Sequence, residues 1–407
     1  MSSTSSLFAA SDNLALRGSS SSSDTVSPVS PVGSTQISEV VEDEIGPYDP
    51  LGVRVGRFLF YPSVTFWGTF TDNIDLSEDR QTGRVGSTDL DVTIQSDWSR
   101  HSLKVEGAAS MSGYQTPNRK PENEESLGGE LRLDLSDGTE LTITGSASRA
   151  IEDRDSVDLD QSGGSANYLT NLHSGARLQR QAGRLLLQLR GSIDRSNYEN
   201  DSSRDYNTYG AGGRVGVSLT DQVMPFVDVE MNRKRFDEDT NTQSGDTLRG
   251  AIGIALTNRE DLSGEASVGA MVWKPDASAT DNDKSLFVDA SLAWSPNTLW
   301  TFRGGYTTEM SSSATDATSV RTRTVSLSAD YAVLRNLVLS AEGSAAHETY
   351  NGISRKDWVL DATFNATYSF NRYAQLIVSA GHQRRDSSEE GSDYEANKIR
   401  IGLKLQR

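Results

Sequence analysis

From about Tyr61 to Arg407 the chain alternates apolar and polar residues with a period of two, in stretches of roughly a dozen residues. The stretches are joined by connections that are alternately short and long. A period of two belongs to strands, because successive side chains point to opposite faces. In a bilayer core every backbone polar group must be paired within the protein, so a strand-built chain there has to close on itself with every second side chain towards lipid. The rhythm therefore predicts a transmembrane β-barrel.

The alternation is clearest in pairs of stretches. Leu90, Val92, Ile94 and Trp98 hold one phase and Asp91, Thr93, Gln95 and Asp97 the other; after Ser99-Arg100, Leu103, Val105, Gly107, Ala109 and Met111 resume the apolar phase. Leu127 to Leu135 turns through Asp137-Gly138 into Leu141, Ile143, Gly145 and Ala147, and Asp-Gly between alternating runs is a strong hairpin signal. The same unit recurs to the closing run of Ile399, Ile401, Leu403 and Leu405. Counting the opening run of Val64, Phe66 and Phe70 gives about eighteen strands, an even number like that of bacterial single-chain outer-membrane barrels. An even number places both termini on one side, which for such barrels is periplasmic. The expected fold is thus all-β: an antiparallel up-and-down barrel over residues 51–407, preceded by a disordered segment, 1–50.

Composition agrees. Only 35% of residues are hydrophobic, and no stretch approaches the roughly 18 to 20 apolar residues of a membrane-spanning helix; a barrel needs apolar residues on only one face of each strand. The absence of cysteine excludes disulfide and thiol chemistry. Prolines fall in the N-terminal segment, in connections (Pro117, Pro121, Pro275, Pro296) or near strand starts (Pro62, Pro225), as an unbroken ladder requires. Residues 1–50 are Ser/Pro-rich with an acidic cluster from Glu39 to Glu44 and read as a disordered periplasmic tether. A secretion signal is expected ahead of a barrel, and Leu7-Phe8-Ala9-Ala10 is too short for its apolar region.

Short turns belong to the periplasmic side and long loops to the exterior. The connections around 75–86, 115–125, 152–165, 197–206, 237–246, 274–284, 309–319, 348–356 and 385–393 are therefore expected outside. Trp98, Trp294, Trp300, Phe370 and Tyr373 flank short turns, while Tyr114, Tyr168, Tyr198, Trp273, Tyr306, Tyr350 and Trp358 flank long loops, where amphipathic rings would sit at headgroup level. Arg321 and Arg323 fall in the outward phase just beyond the membrane band, within reach of lipid phosphates.

Two stretches carry a family likeness. Pro47-Tyr48-Asp49-Pro50-Leu51-Gly52-Val53-Arg54-Val55-Gly56, followed by Phe58, Pro62 and an aromatic strand ending at Asp72-Asn73-Ile74, resembles the entry segment of the proteobacterial outer-membrane proteins called putative β-barrel porin 2. Ser96-Asp97-Trp98-Ser99-Arg100-His101-Ser102-Leu103 resembles that family's first periplasmic hairpin. The resemblance covers about residues 46 to 407 and implies a barrel of the Gram-negative outer membrane, with a link to exopolysaccharide export among its implications and no catalytic residues. The aromatic usual on the last strand is replaced by Gln406-Arg407.

If the apolar phase faces lipid, the opposite phase lines the lumen. The candidates are Trp67, Asp91, Asp97, Lys104, Glu106, Glu130, Arg132, Asp134, Arg177, Arg190, Arg214, Asp228, Glu230, Arg249, Glu265, Asp289, Arg303, Glu342, Asp361, Arg400 and Lys404. Both signs interleave. They would line an aqueous channel with weak cation preference, or pair across the lumen and brace it. Trp67 would stack on a sugar or fill space.

The net charge of −18 lies mostly in loops and the N-terminal segment, for example Asp153, Asp155, Asp158 and Asp160, Asp276, Asp281 and Asp283, and Glu122, Glu124 and Glu125. Their spacing matches no dedicated calcium loop, so solvation is the default, with calcium bridged to lipopolysaccharide the alternative. The acidic balance excludes nucleic acid as a natural partner. The four histidines, His101, His173, His347 and His382, lie on separate strands or turns, and no catalytic, metal or cofactor motif accompanies them. The sequence therefore predicts a non-enzymatic, porin-like passive channel for small or saccharide solutes. Its rival is a non-conducting structural barrel or partner of exopolysaccharide export. The partners expected are outer-membrane lipid and lipopolysaccharide, and either such solutes or polysaccharide-export machinery.

Overall fold

Alternating strands pair with their sequence neighbours when the connections are tight, and here they do so throughout. The computed structural model describes residues 46–407 except 116–118, 153–166, 239–242, 257–260, 277–281 and 312–318. The expectations for residues 1–45 and for the acidic run at 153–160 lie outside the described residues.

A short strand, β1 (Val53–Val55), precedes β2 (Phe58–Thr71), β3 (Gly83–Ser96), β4 (Ser102–Tyr114), β5 (Glu122–Ser136), β6 (Thr139–Ile151) and β7 (Tyr168–Ala182). Then follow β8 (Leu185–Tyr198), β9 (Tyr206–Val217), β10 (Val223–Phe236), β11 (Gly245–Leu256), β12 (Leu262–Pro275) and β13 (Asp283–Asn297). The chain ends with β14 (Trp300–Ser311), β15 (Ser319–Leu334), β16 (Leu337–Asn351), β17 (Lys356–Asn371), β18 (Ala374–Ser387) and β19 (Tyr394–Gln406). Each of β2 to β19 pairs antiparallel with the next, and β19 returns to β2 from Lys398↔Thr71 to Gln406↔Ser63. The result is a closed barrel of 18 strands. β1 pairs with β2 through Val53↔Phe60 to Val55↔Phe58 and so covers the edge that β19 leaves bare at that end.

A 14-residue strand such as β2 is about 46 Å long and rises roughly 35 Å at the usual barrel tilt of about 40°. The predicted Asp137-Gly138 turn joins β5 to β6, with Gly138 at φ +69°, where a side chain would be strained. A Cβ there would also lie 2.5 Å from the Gln181 carbonyl oxygen.

The apolar phase covers the outside. Leu189 and Leu327 are each 65% exposed, and Leu127, Ile252 and Leu286 are similarly open; an apolar belt this continuous requires lipid. At the short-turn end the predicted aromatics form stacks. Phe58 meets Trp98 edge-on at 5.7 Å, Trp294 lies on Phe302 at 5.6 Å, and Trp300 lies on Tyr331 at 4.2 Å.

At the long-loop end the placement differs from expectation. Tyr114, Tyr198, Trp273 and Tyr350 occupy the lumen phase, as the ladder registers of β4, β8, β12 and β16 dictate. Tyr198, Trp273 and Tyr350 are 4%, 2% and 3% exposed. A cation stacks on several rings at this level: Arg119 on Tyr114 (4.3 Å), Arg204 on Tyr198 (4.0 Å), Lys234 on Tyr206 (3.9 Å) and Arg355 on Tyr350 (5.0 Å). Flanking a loop gave these residues the right height, but the phase of their strands turns them inward.

The ladder between β13 and β14 is incomplete. It runs from Asn297↔Trp300 to Ala290↔Tyr306 and stops, leaving the long-loop ends of both strands unpaired with one another. There the outward phase of β14–β16 packs on the lumen phase of β12–β13. Met310 joins Met271, Trp273 and Phe287 in one apolar cluster. Arg321 donates to Asp283 at 2.9 Å, Ser319 Oγ to the same carboxylate at 2.8 Å, and Asn351 Nδ2 to it as well. The wall thus overlaps itself, with β14–β16 on the inner side. Arg321, expected against lipid phosphate, instead closes this overlap through Asp283.

Candidate functional site: the charged lumen wall

The lumen phase carries two polar districts on different stretches of wall. The first spans β8 to β13. Arg190 donates two hydrogen bonds to Asp228, at 2.7 and 2.9 Å, and two to Glu230, at 2.8 and 3.3 Å. Arg214 donates from Nε to Asp228 at 3.0 Å and from Nη1 to Glu265 at 2.9 Å, while Arg249 reaches Glu230 at 2.8 Å. Two rings back these cations, Phe226 lying 4.0 Å from the Arg214 guanidinium and Phe287 4.6 Å from that of Arg249. Glycines make the room: a Cβ at Gly212 would lie 2.8 Å from Arg190, and one at Gly253 would lie 2.4 Å from Phe226. Asp289 and Ser267 complete the lining of a 20 Å³ void at the centre of this network, a volume of about one water.

These ion pairs run along the wall, joining strands at most three apart, from β9 to β12. They stiffen one sector and leave the width of the lumen to the strand count.

The second district spans β2 to β8 and β19. Trp67 donates its indole N–H to Asp89 at 2.8 Å, and Ser110 donates to the same carboxylate at 2.7 Å. Arg400 sits 4.3 Å over the Trp67 ring, and a Cβ at Gly402 would lie 2.5 Å from it. The ring therefore lies against the wall with its polar atom committed. Asp91 accepts from Ser63 at 3.3 Å and interacts electrostatically with Lys404. Lys104 pairs with Glu106 at 2.8 Å and Arg132 with Asp134 at 3.7 Å. Arg177 donates to Thr142 at 3.5 Å. A cavity of about 200 Å³ opens between Lys104, Glu106, Glu130, Thr144, Ser146 and His173.

Of the other predicted candidates, Arg303 pairs with Asp330 at 2.5 Å, and Glu342 and Asp361 occupy the lumen phase of β16 and β17. Asp97 lies one residue beyond β3 and pairs with Arg54 of β1 at the short-turn mouth.

Sequence reading missed Asp89, which anchors Trp67, and the linkage of His173. The His173 Nδ1 is 2.6 Å from Asp194 Oδ1, and its Nε2 is 3.3 Å from Thr144 Oγ1. Asp194 sits directly opposite His173 on the neighbouring strand. That adjacency depends on the β7–β8 register, which the hairpin turn fixes.

At 10% to 14% identity the chain is similar to solved barrels. OpdK of Pseudomonas aeruginosa shares 14% identity at a TM-score of 0.46, covering 86% of this chain and 99% of that one. OpdL of the same organism shares 13% at 0.43 over 86% and 99%, and OccAB3 of Acinetobacter baumannii 10% at 0.46 over 87% and 100%. No curated protein matches the sequence significantly. A family model described as putative beta-barrel porin 2 matches residues 46–407.

Proposed function

Because the chain belongs to the putative beta-barrel porin 2 family of outer-membrane barrels, we propose that it is a passive, non-enzymatic channel for small or saccharide solutes. The observation that carries this reading is the lumen phase itself. Charged and hydroxylated side chains of both signs alternate around it, while the outer phase is apolar. A polar wall hydrates a lumen that 18 strands are wide enough to keep open. The 21 lumen-phase candidates are the proposed lining, and the slight excess of acids over bases among them favours cations weakly.

In this reading short turns and both termini face the periplasm, residues 1–50 form a periplasmic segment, and the acidic loops meet the lipopolysaccharide surface. Planar-bilayer conductance of the refolded chain, with and without residues 1–50, tests it. Steady channels are expected in the intact protein, with a reversal potential slightly on the cation-selective side and partial block by saccharides. Channels only after truncation would make the N-terminal segment a plug. Silence from both forms, in protein shown to be folded, overturns the channel reading.

A further inference from the structure

The 200 Å³ cavity of the second district has a chemistry of its own. Its floor is bare: Gly128 stands in the lumen phase opposite Ser146, so no side chain fills the space. The volume matches about seven waters, enough for a small organic solute.

His173 determines what the cavity offers. Asp194 can only accept, so the imidazole donates to it from Nδ1, and in the neutral ring Nε2 is then an acceptor. The Thr144 hydroxyl must donate to that nitrogen, which leaves its oxygen lone pairs to receive a hydrogen bond from the cavity. Gly175 permits this contact, since a Cβ there would lie 2.7 Å from Thr144 Oγ1 and 3.1 Å from the imidazole. Glu130 makes no hydrogen bond or ion pair among the described residues and borders the same space. Glu106 gives Oε1 to Lys104 and keeps a second oxygen. Lys104, the one lysine or arginine among the described residues that line the cavity, is thereby engaged.

We propose that this cavity is a saturable binding site for small organic cations carrying a primary ammonium group. The ammonium donates to the carboxylate of Glu130 and to Thr144 Oγ1, which the Asp194–His173 pair holds as an acceptor; Asp194 and His173 are positioning residues. The inference rests on the proposed channel reading, in which solutes reach the lumen wall.

Calorimetric titration of the refolded full-length barrel in detergent tests it, with 1,4-diaminobutane as the probe and erythritol as a neutral molecule of the same chain length. One-to-one saturable binding of the diamine, without binding of erythritol, is expected. Glu130→Gln should weaken the diamine at least tenfold. Asp194→Asn, which frees the imidazole to change tautomer, should weaken it several-fold and flatten its dependence on pH. Glu390→Gln, an exposed change in the β18–β19 connection away from the cavity and from the lumen lining, should leave affinity unaltered. Circular dichroism confirms that each variant is folded. Equal binding of erythritol, or wild-type affinity in Glu130→Gln, overturns the proposal. A barrel that conducts but does not bind the diamine sinks this inference alone, whereas one that binds it and never conducts sinks only the channel reading.

Discussion

Arg214 shows how much a single lumen residue is asked to hold. It is 8% exposed and serves two carboxylates, Asp228 at 3% and Glu265 at 6%. Removing one partner of a buried ion pair leaves charge without compensation, at a cost of about 3–5 kcal/mol. Arg214→Met is therefore expected to lower stability by that order, read from urea unfolding in micelles. Arg303→Met is expected to cost far less, because the Arg303 side chain is 39% exposed and the pair is screened by water. Charge and phase at all these positions were legible in the sequence, since alternation assigns a face to every residue. Which acid meets which base was not, because Arg190 reaches past β9 to β10 only where Gly212 leaves the gap.

Among the elements, β13 and β14 are unlike every other neighbouring pair. Their ladder ends at Ala290↔Tyr306, so the amides of 284–289 and 307–311 that point across the gap have no ladder partner. Hydrogen exchange should find them exchanging faster than amides at the same height in β15–β16, where pairing continues from Leu334↔Leu337 to Ser319↔Asn351. Met310→Asp, which puts a charge among Met271, Trp273 and Phe287, should speed that exchange further and leave the short-turn half unchanged. The alternation predicts that strands exist and which way they face, and the count of about eighteen follows from it. It says nothing of where two neighbours part, since Leu286 and Val288 in the unpaired stretch of β13 read as ordinary strand residues. The inward rings were within reach of the sequence. Tyr198 shares the parity of Arg190 and Asp194 on one strand, and counting back from the lumen residues would have placed it correctly; proximity to a loop was the weaker signal.

Closure of the whole molecule depends on the meeting of its first and last long strands. Asp72, just past β2, accepts from the backbone N–H of Asn397 at 2.6 Å and from its side chain at 2.7 Å, and its own N–H donates to the Asn397 carbonyl at 3.1 Å. Arg80 lies 3.9 Å from Asp72 and pairs with Glu395 at 2.6 Å. Partial burial works against the charged form, but the Asn397 hydrogen bonds and Arg80 outweigh it and hold the Asp72 carboxyl below its ordinary value of 3.8. A depressed carboxylate contributes stability that is fully present above its unfolded value and is lost as pH falls through the folded one. The stability difference between wild type and Asp72→Asn should thus be constant well above the ordinary carboxylate value and shrink as pH falls through the lowered folded one, as thermal melts across the acid range would report. A hoop laced all the way round, as this one is at β19 and β2, has a fixed circumference and resists widening through every rung at once. The parted ends of β13 and β14 make the other side a split ring, whose two lips at the long-loop mouth are fastened by side-chain contacts and by no rung of the backbone.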